Sequence, residues 1–161
     1  MEQLHEADEK FMLMAIELAT DNVLSGAGGP FGAVIVKNGK VIATGVNKVT
    51  ASNDPTAHAE VIAIRGACAR LKTFNLSDCE LFTSCEPCPM CLAAIYWARI
   101  PKVYYGNTRA DAAAIGFDDD HIYRQLALPP GDREVKMRPL LRKKAAGAFK
   151  AWARKPDKVA Y

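Results

Sequence analysis

The fold of this 161-residue chain is decided by residues 84–91, SCEPCPMC, which lie between a strand-like run and a helical run. Cys88 and Cys91 are three residues apart, so both fall on one face of the first turn of the predicted helix. Pro87 and Pro89 favour a helix start, because a proline in the first turn lacks only an N–H that would have no helical partner. The helix dipole favours thiolates there, and thiolates bind zinc. The spacing therefore predicts a metal site at a helix N-terminus.

Two other interpretations of these cysteines remain open at this point. A Cys-x-x-Cys pair can be a redox dithiol. Cys85, Cys88 and Cys91 together also offer enough thiolates for a closed structural zinc site with three cysteines and one histidine. The choice between them depends on which further residues accompany the cysteines.

The second motif, His58-Ala59-Glu60, lies at another loop-to-helix junction. Residues two apart do not share a face along a helix body, but at a helix N-terminus His58 can reach a metal while Glu60 reaches its bound water. Together the motifs complete the His-x-Glu … Pro-Cys-x-x-Cys pattern of zinc-dependent base deaminases. A catalytic zinc site has three protein ligands and an open position, and a structural site has no use for the glutamate. The sequence therefore favours catalytic zinc, with a structural-zinc interaction domain as the non-enzyme alternative.

Length and composition are those of one soluble globular domain, residues 1–161, with 50% hydrophobic and 24% charged residues. Five cysteines, an odd number, imply no disulfide framework and favour a reducing cytoplasm. The acidic N-terminus has no apolar leader, and no run of eighteen apolar residues occurs. We therefore expect a cytoplasmic protein without a membrane partner.

The net charge of +3 is too small to indicate nucleic-acid binding by itself. Basic residues nevertheless crowd the C-terminal part of the chain: Arg133, Lys136, Arg138, Arg142, Lys143, Lys144, Lys150, Arg154, Lys155 and Lys158. A basic tail can follow the phosphates of RNA. Apolar residues between Leu141 and Trp152 repeat at helical intervals, however, which favours the solvated face of a helix. We expect no nucleic-acid partner.

Strand-like and helical runs alternate along the chain. Predicted helices are Leu4–Asn22, Pro55–Leu71 with Asp54 as its cap, Pro89–Arg99, Ala110–Ile115, His121–Leu128 and Pro139–Arg154. Predicted strands are Phe31–Lys37, Lys40–Asn47, Cys79–Thr83, Lys102–Gly106 and a short edge strand Glu134–Arg138. The turn Asn38-Gly39 is a strong hairpin signal. This order predicts an α/β fold with a mixed, partly parallel sheet of about five strands covered by helices on both faces. Both motif junctions follow strands, so we expect them to meet at one edge of the sheet.

The chain resembles the cytidine-deaminase superfamily and, within it, the short bacterial guanine deaminases. The resemblance rests on Phe31-Gly32-Ala33, Gly45-Val46-Asn47, His58-Ala59-Glu60, Ser84 to Cys91, Tyr96-Trp97-Ala98-Arg99 and Gly116-Phe117-Asp118-Asp119. The zinc motifs are shared by the whole superfamily, whereas Gly116–Asp119 and a tail ending in Tyr161 distinguish the guanine enzymes. The resemblance covers essentially the whole chain and implies the three-layer α/β/α cytidine-deaminase-like fold.

The resemblance also implies a site, one Zn²⁺ per chain and a role for each residue. The implied zinc ligands are His58, Cys88 and Cys91; the implied catalytic residues are Glu60, as proton shuttle, and Asp119, at the leaving amino group; the implied substrate-binding residues are Phe31, Asn47, Ala59, Trp97, Asp119 and Tyr161. Simpler roles are open for several of them. Phe31 and Trp97 can be core aromatics, Asn47 can pair with backbone at a strand end, and Asp119 can cap the following helix. Cys85 is expected near the site as a non-ligand, and His121 has no assigned role.

The implied reaction is the hydrolytic deamination of guanine to xanthine and ammonia. Guanosine, cytosine or another aminated heterocycle, and adenosine in tRNA, are the alternative substrates. The implied assembly is a homodimer in which residues 134–161 are swapped, with residues 129–131, PPG, as a hinge and Tyr161 closing the partner's site. A small purine base is thus the expected partner.

Overall fold

The structure, a computed structural model, describes residues 6–161 of the chain. Its helices are α1 (Glu6–Leu24), α2 (Val49–Ser52), α3 (Ala59–Leu71), α4 (Pro89–Ala98), α5 (Arg109–Ala114), α6 (Asp119–Ala127) and α7 (Arg142–Arg154), and its strands are β1 (Gly32–Lys37), β2 (Lys40–Val46), β3 (Glu80–Cys85) and β4 (Lys102–Asn107). The predicted helices and the first four predicted strands are present, but α3 begins at Ala59 rather than at Pro55, because the backbone at His58 is still extended (φ −74°, ψ 154°). The predicted helix start at Leu4 and the position of His5 lie outside the described residues.

The four strands form one mixed sheet in the order β2-β1-β3-β4. Strand β1 is antiparallel to β2 and to β3, whereas β3 and β4 are parallel. Asn38 and Gly39 join β1 to β2 with φ angles of 49° and 69°. Positive φ at both central positions is what a tight hairpin turn with the twist of its strands requires, which confirms the predicted hairpin.

The fifth predicted strand is wrong. Within the described residues, the segment Glu134–Arg138 forms no strand, and the sheet has four strands rather than about five. Val135 is 75% exposed and Met137 63% exposed. Alternating apolar residues favour a strand only when a neighbouring strand edge and a core lie beside them, and this segment has neither in its own chain.

The sheet is covered on both faces. On one face Ala33, Ile35 and Leu81 pack against the first turns of α3 and against α4, and on the other face Val34 and Phe82 pack against α1. Neighbouring residues of β1 thus point to opposite cores, as the two-residue period of a strand dictates. The layered α/β/α architecture agrees with the prediction.

The close contact between β2 and α3 depends on Gly45. A Cβ atom at Gly45 would lie 2.1 Å from the carbonyl oxygen of Ala59 and 2.8 Å from the backbone nitrogen of Ala63. Only a residue without a side chain allows this approach. Gly45 therefore lets the first turn of α3, which carries Glu60, lie directly on the sheet.

Several strands and helices begin or end at the same side of the sheet. Because β1 is antiparallel to its neighbours, its start at Gly32 lies beside the end of β2, where Gly32 pairs with Val46. The Gly32 N–H donates to the hydroxyl of Ser84 near the end of β3, at 3.0 Å. The N-termini of α3 and α4 follow at this same edge, as the sequence predicted.

Candidate functional site

The donor atoms of His58, Cys88 and Cys91 come together at the N-termini of α3 and α4. His58 is the N-cap residue of α3, Cys88 is the N-cap residue of α4, and Cys91 lies in the first turn of α4. The Nδ1 atom of His58 lies 3.5 Å from the Sγ atoms of both cysteines. Among the described residues, this is the group of histidine, cysteine and acidic side chains that could hold a metal ion, with all donor atoms within 4.8 Å of one another.

These distances fit zinc. A tetrahedral zinc ion at about 2.3 Å from sulfur and about 2.0 Å from nitrogen holds a sulfur and a nitrogen ligand about 3.5 Å apart. Both nitrogen–sulfur distances have this value. Two thiols and one imidazole are also a ligand set that zinc prefers, and three ligands leave one position of a tetrahedron open. The arrangement is that of a catalytic rather than a closed structural site.

The electrostatics of the three ligands favour a thiolate at Cys88. The pKa of Cys88 is lowered to about 4, because the neighbouring Cys91 thiol and the His58 imidazole stabilise its charged form. The contact with Cys88 and burial raise the pKa of Cys91. The pKa of His58 is raised, chiefly by its hydrogen bond to Cys88. One thiolate is thus already stabilised by the fold.

Glu60 lies next to the three ligands and is only 5% exposed. The Thr83 hydroxyl donates a hydrogen bond to Oε1 at 3.2 Å, and the Cys91 thiol donates to Oε2 at 3.4 Å. Burial raises the pKa of Glu60, because the charged form loses water. A carboxyl group with a raised pKa beside an open metal position is suited to accept and return a proton.

Cys85 does not belong to the ligand group. Its thiol is buried and points to the carbonyl oxygen of Thr108, with Sγ 3.7 Å from that oxygen. Burial raises the pKa of Cys85 to about 12, so it stays protonated. A closed site of three cysteines and one histidine therefore has no support in the structure.

A cavity of about 310 Å³ opens beside Glu60 and the ligand group. Its lining residues are Gly29, Phe31, Asn47, Val49, Thr50, Pro55, His58, Glu60, Glu86, Cys88, Phe117 and Asp119. Predicted substrate-binding residues Phe31, Asn47 and Asp119 are therefore brought together with the metal ligands. The volume is at the lower end of the range for small-molecule pockets.

Phe117 is a lining residue to which the sequence reasoning gave no role. Its ring meets that of Phe31 edge to face, with centroids 4.8 Å apart and an interplanar angle of 83°. The preceding Gly116 has φ of 94°, a conformation that favours glycine. This Gly-Phe pair was visible in the sequence, but only the fold shows that the loop returns to the cavity.

Asn47 and Asp119 occupy the cavity wall in different ways. Asn47 is 6% exposed, and its Oδ1 accepts a hydrogen bond from the N–H of Val49 at 3.2 Å. This fixes the side chain and leaves the amide nitrogen as the group it can offer to a ligand.

Asp119 lies inside the first turn of α6, whereas the N-cap residue is Asp118. The capping role considered for Asp119 is therefore wrong, and partial burial raises its pKa.

Two predicted substrate-binding residues, Trp97 and Tyr161, lie away from this cavity in their own chain, and a third, Ala59, has no exposed side chain. Trp97 is 65% exposed and Tyr161 is 70% exposed, and their rings contact each other at 5.9 Å between centroids. They border a different cavity together with Phe74 and α3. Ala59 is fully buried. Trp97 therefore does not wall the cavity of its own chain, because it lies on the outer face of α4 while Cys91 lies on the buried face.

The histidine left without a role lies outside the cavity. His121 is on α6, and its Nε2 atom lies 3.1 Å from a carboxylate oxygen of Glu134. Both side chains are exposed to solvent. This surface pair contributes little free energy of folding.

Comparisons with known proteins agree with this geometry. Residues 5–107 match the model of the cytidine and deoxycytidylate deaminase zinc-binding region. The chain is 51% identical over 153 residues to the guanine deaminase of Bacillus subtilis (strain 168), covering 95% of this chain and 98% of that protein. The X-ray structure of guanine deaminase from Bacillus subtilis superimposes with a TM-score of 0.92 at 49% identity, covering 98% and 99% of the two chains.

A second relative is matched over a shorter length. The chain is 50% identical over 76 residues to the tRNA-specific adenosine deaminase of Aquifex aeolicus (strain VF5). This match covers 47% of the present chain and 50% of that protein.

None of the described helices is long and apolar enough to span a membrane.

We predict that Cys88→Ser abolishes tight zinc binding and that Cys85→Ser preserves it. Removing one of three ligands leaves little redundancy, whereas Cys85 lies outside the group. Zinc content after dialysis, measured by atomic absorption on both purified variants, checks this. Full zinc occupancy in Cys88→Ser, or loss of zinc in folded Cys85→Ser, would contradict the ligand assignment.

Proposed function

Because the chain belongs to the family of the cytidine and deoxycytidylate deaminase zinc-binding region, we propose that it is a zinc-dependent guanine deaminase. Water replaces the exocyclic amino group at C2 of guanine, and the products are xanthine and ammonia. Family membership supports the reaction class. The similarity along the whole chain supports guanine as the substrate.

The extent of the similarity is the observation that carries the choice of guanine. The match to the Bacillus guanine deaminase covers 95% of the chain at 51% identity. The tRNA-specific adenosine deaminases match less of the chain or at lower identity: that of Aquifex aeolicus matches 47% of it at 50% identity, and that of Haemophilus influenzae 78% of it at 36% identity. The family model ends at residue 107, before the segment with Phe117 and Asp119 that completes the cavity. Phe117 and Asp119 thus lie beyond the end of the family model, in a part of the chain where the similarity to the Bacillus guanine deaminase continues.

His58, Cys88 and Cys91 would hold one zinc ion. When bound, zinc lowers the pKa of water toward 7 and so supplies a nucleophile at neutral pH. The ligand set is already assembled by the fold, with one thiolate stabilised at Cys88.

Glu60 is the proton shuttle in this proposal. It takes a proton from the attacking water on Oε2 and delivers it to the ring nitrogen adjacent to C2. The Thr83 hydroxyl holds Oε1 in place. A deprotonated Cys91 cannot donate to Oε2, so that oxygen is left for proton transfer. The raised pKa of Glu60 brings its proton affinity nearer to neutral pH, where acid–base catalysis is most efficient.

Asp119 is assigned to the leaving amino group. Its side chain lines the same cavity as Glu60, and partial burial raises its pKa. It can relay the second proton of the attacking water from the oxygen at C2 to the departing nitrogen, which leaves as ammonia while that oxygen becomes a carbonyl oxygen of xanthine. Two carboxyl groups on one cavity allow one to serve the attacking water and the other the leaving group.

The purine ring is held by aromatic and amide groups. Phe31 and Phe117 form a corner of two perpendicular rings, against which a planar heterocycle can stack or pack edge-on. The amide nitrogen of Asn47 can donate a hydrogen bond to a ring nitrogen or carbonyl oxygen. These contacts suit a free base, because the cavity of about 310 Å³ is small.

The C-terminal segment is proposed to close the site of a second protomer. In α7, a fully described helix, no residue is buried, and Phe149 is 82% exposed. Trp97 and Tyr161 form an exposed aromatic pair away from their own cavity. A homodimer that exchanges residues 134–161 explains both features, because the exchanged segment would bury the apolar face of α7 and cover the open cavity of the partner. Residues 129–131 would be the hinge.

Reduced thiols are required by this function. Cys68, Cys79, Cys85, Cys88 and Cys91 are all free cysteines. Oxidation would remove the thiolates that bind zinc. We therefore place the enzyme in a reducing compartment, the cytoplasm.

The substrate assignment is tested by measuring ammonia release from guanine, guanosine, cytosine, cytidine and a tRNA anticodon stem-loop carrying adenosine. Guanine should give the highest kcat/KM, with xanthine as the product by chromatography. Higher kcat/KM for the stem-loop, with binding that weakens steeply as salt rises, would favour the tRNA reaction. Higher kcat/KM for guanosine would shift the assignment to the nucleoside.

Glu60→Gln should lower kcat for guanine by roughly 10²- to 10⁴-fold, because an amide cannot accept the proton of water. Zinc content and the free energy of unfolding should change little, since glutamine keeps the shape and can still accept a hydrogen bond from Thr83. The matched control is Glu80→Gln, because Glu80 is the first residue of β3 and is not among the residues that line the cavity. Retention of wild-type kcat in Glu60→Gln would remove the proposed shuttle.

Deleting residues 156–161 should lower kcat/KM for guanine by about a hundredfold, because an uncovered site admits water and positions the base poorly. Zinc binding should persist. Mixing this truncated protein with Glu60→Gln after unfolding and joint refolding should restore activity, since the intact tail of one protomer would cover the intact site of the other. If the mixture has no more activity than its components, the tail does not act in the partner.

A further inference from the structure

Tyr123 connects the helix that carries Asp119 to the loop that carries the metal ligands. Its hydroxyl donates a hydrogen bond to the carbonyl oxygen of Pro87, at 2.9 Å. Pro87 immediately precedes Cys88 in the chain. Asp119 and Tyr123 are four residues apart on α6, so they lie on the same face of this helix, one turn from each other.

Arg109 contacts the ring of Tyr123. Its guanidinium carbon lies 4.8 Å from the centre of the Tyr123 ring, within the range of a cation–π interaction. The backbone N–H of Arg109 donates to a carboxylate oxygen of Glu86, at 2.9 Å. The N–H of Glu86 in turn donates to the carbonyl oxygen of Asn107, at 2.8 Å. These contacts join α5, α6 and the metal-binding loop.

Surface contacts hold α6 in place. All nine residues of this helix are described, and none of them is buried. Ile122 is 42% exposed and Leu126 is 53% exposed. Without a buried apolar face, the position of α6 relative to the sheet depends on specific contacts, and the bond from Tyr123 to Pro87 links the helix directly to the residue before Cys88.

We infer that Tyr123 is a positioning residue, which fixes Asp119 relative to the Cys88 loop and to Glu60 through its hydrogen bond to the Pro87 carbonyl oxygen. This inference rests on the proposed function, because it assigns Asp119 to the leaving amino group. Proton delivery needs a donor within hydrogen-bond reach of the acceptor, and small displacements of a catalytic group reduce the rate strongly. Tyr123 itself does not contact the substrate, since it is not among the residues lining the cavity.

The test uses Tyr123→Phe, which removes only the hydroxyl and keeps the ring under Arg109. We expect kcat for guanine to fall roughly tenfold, with KM and zinc content unchanged. The matched control is Tyr105→Phe, because Tyr105 is a half-exposed tyrosine of β4 outside the cavity. An unchanged kcat in Tyr123→Phe, or loss of zinc from that variant, would overturn the inference, since the second result would mean that the bond serves the metal loop itself.

A double-mutant cycle separates positioning from general stability. In the background Asp119→Asn, the further change Tyr123→Phe should have no effect on the residual kcat, because the group being positioned is already disabled. A further tenfold fall in the double variant would show that Tyr123 acts independently of Asp119 and would contradict the inference.

Hydrogen–deuterium exchange of the zinc-loaded protein gives a readout that needs no substrate. Amides of residues 119–127 should exchange faster in Tyr123→Phe than in the unmodified protein or in Tyr105→Phe. Equal exchange in all three would contradict the inference even if guanine is turned over. If the unmodified protein does not convert guanine to xanthine, the proposed function fails, while the exchange experiment still decides whether Tyr123 holds α6.

Discussion

The meeting of two helix N-termini over one edge of the sheet is the constraint on which the site depends. His58 at the start of α3 and Cys91 in the first turn of α4 are 33 positions apart, yet their donor atoms lie 3.5 Å from each other. A shift of either helix by an ångström would break this geometry. The glycine contact between β2 and α3 and the direct passage from β3 into α4 fix both helices to the same sheet.

The remaining parts of the site are added to this rigid frame. The buried Glu60 follows His58 by two residues, so the frame that places the metal ligand also places the proton acceptor. The cavity is then completed by the α5–α6 region, which lies outside the two packed cores and contributes Phe117 and Asp119. A common frame with a variable outer region is how related enzymes can share a metal site and differ in substrate.

Sequence reasoning succeeded where the signal is local. The Asn38-Gly39 turn and the alternation of strands and helices depend on neighbouring residues, and so does the placement of the His58 and Cys88 motifs at helix starts. It failed where the structure or role of a residue depends on contacts with distant parts of the chain. Within the described residues, the alternating apolar residues around Val135 pair with no strand of the sheet. Phe117 belonged to a recognised motif but received no role of its own, because its position in the cavity wall depends on a long-range contact with Phe31.

The ligand composition of the metal site provides the most direct test of a catalytic zinc centre. X-ray absorption spectroscopy at the zinc edge of the loaded protein reports the number and type of ligand atoms. We expect two sulfur atoms at about 2.3 Å and two nitrogen or oxygen atoms at about 2.0 Å, one of them from the imidazole of His58 and one from solvent. Three sulfur ligands would bring Cys85 into the site and close it, which would contradict a catalytic zinc centre built from His58, Cys88 and Cys91.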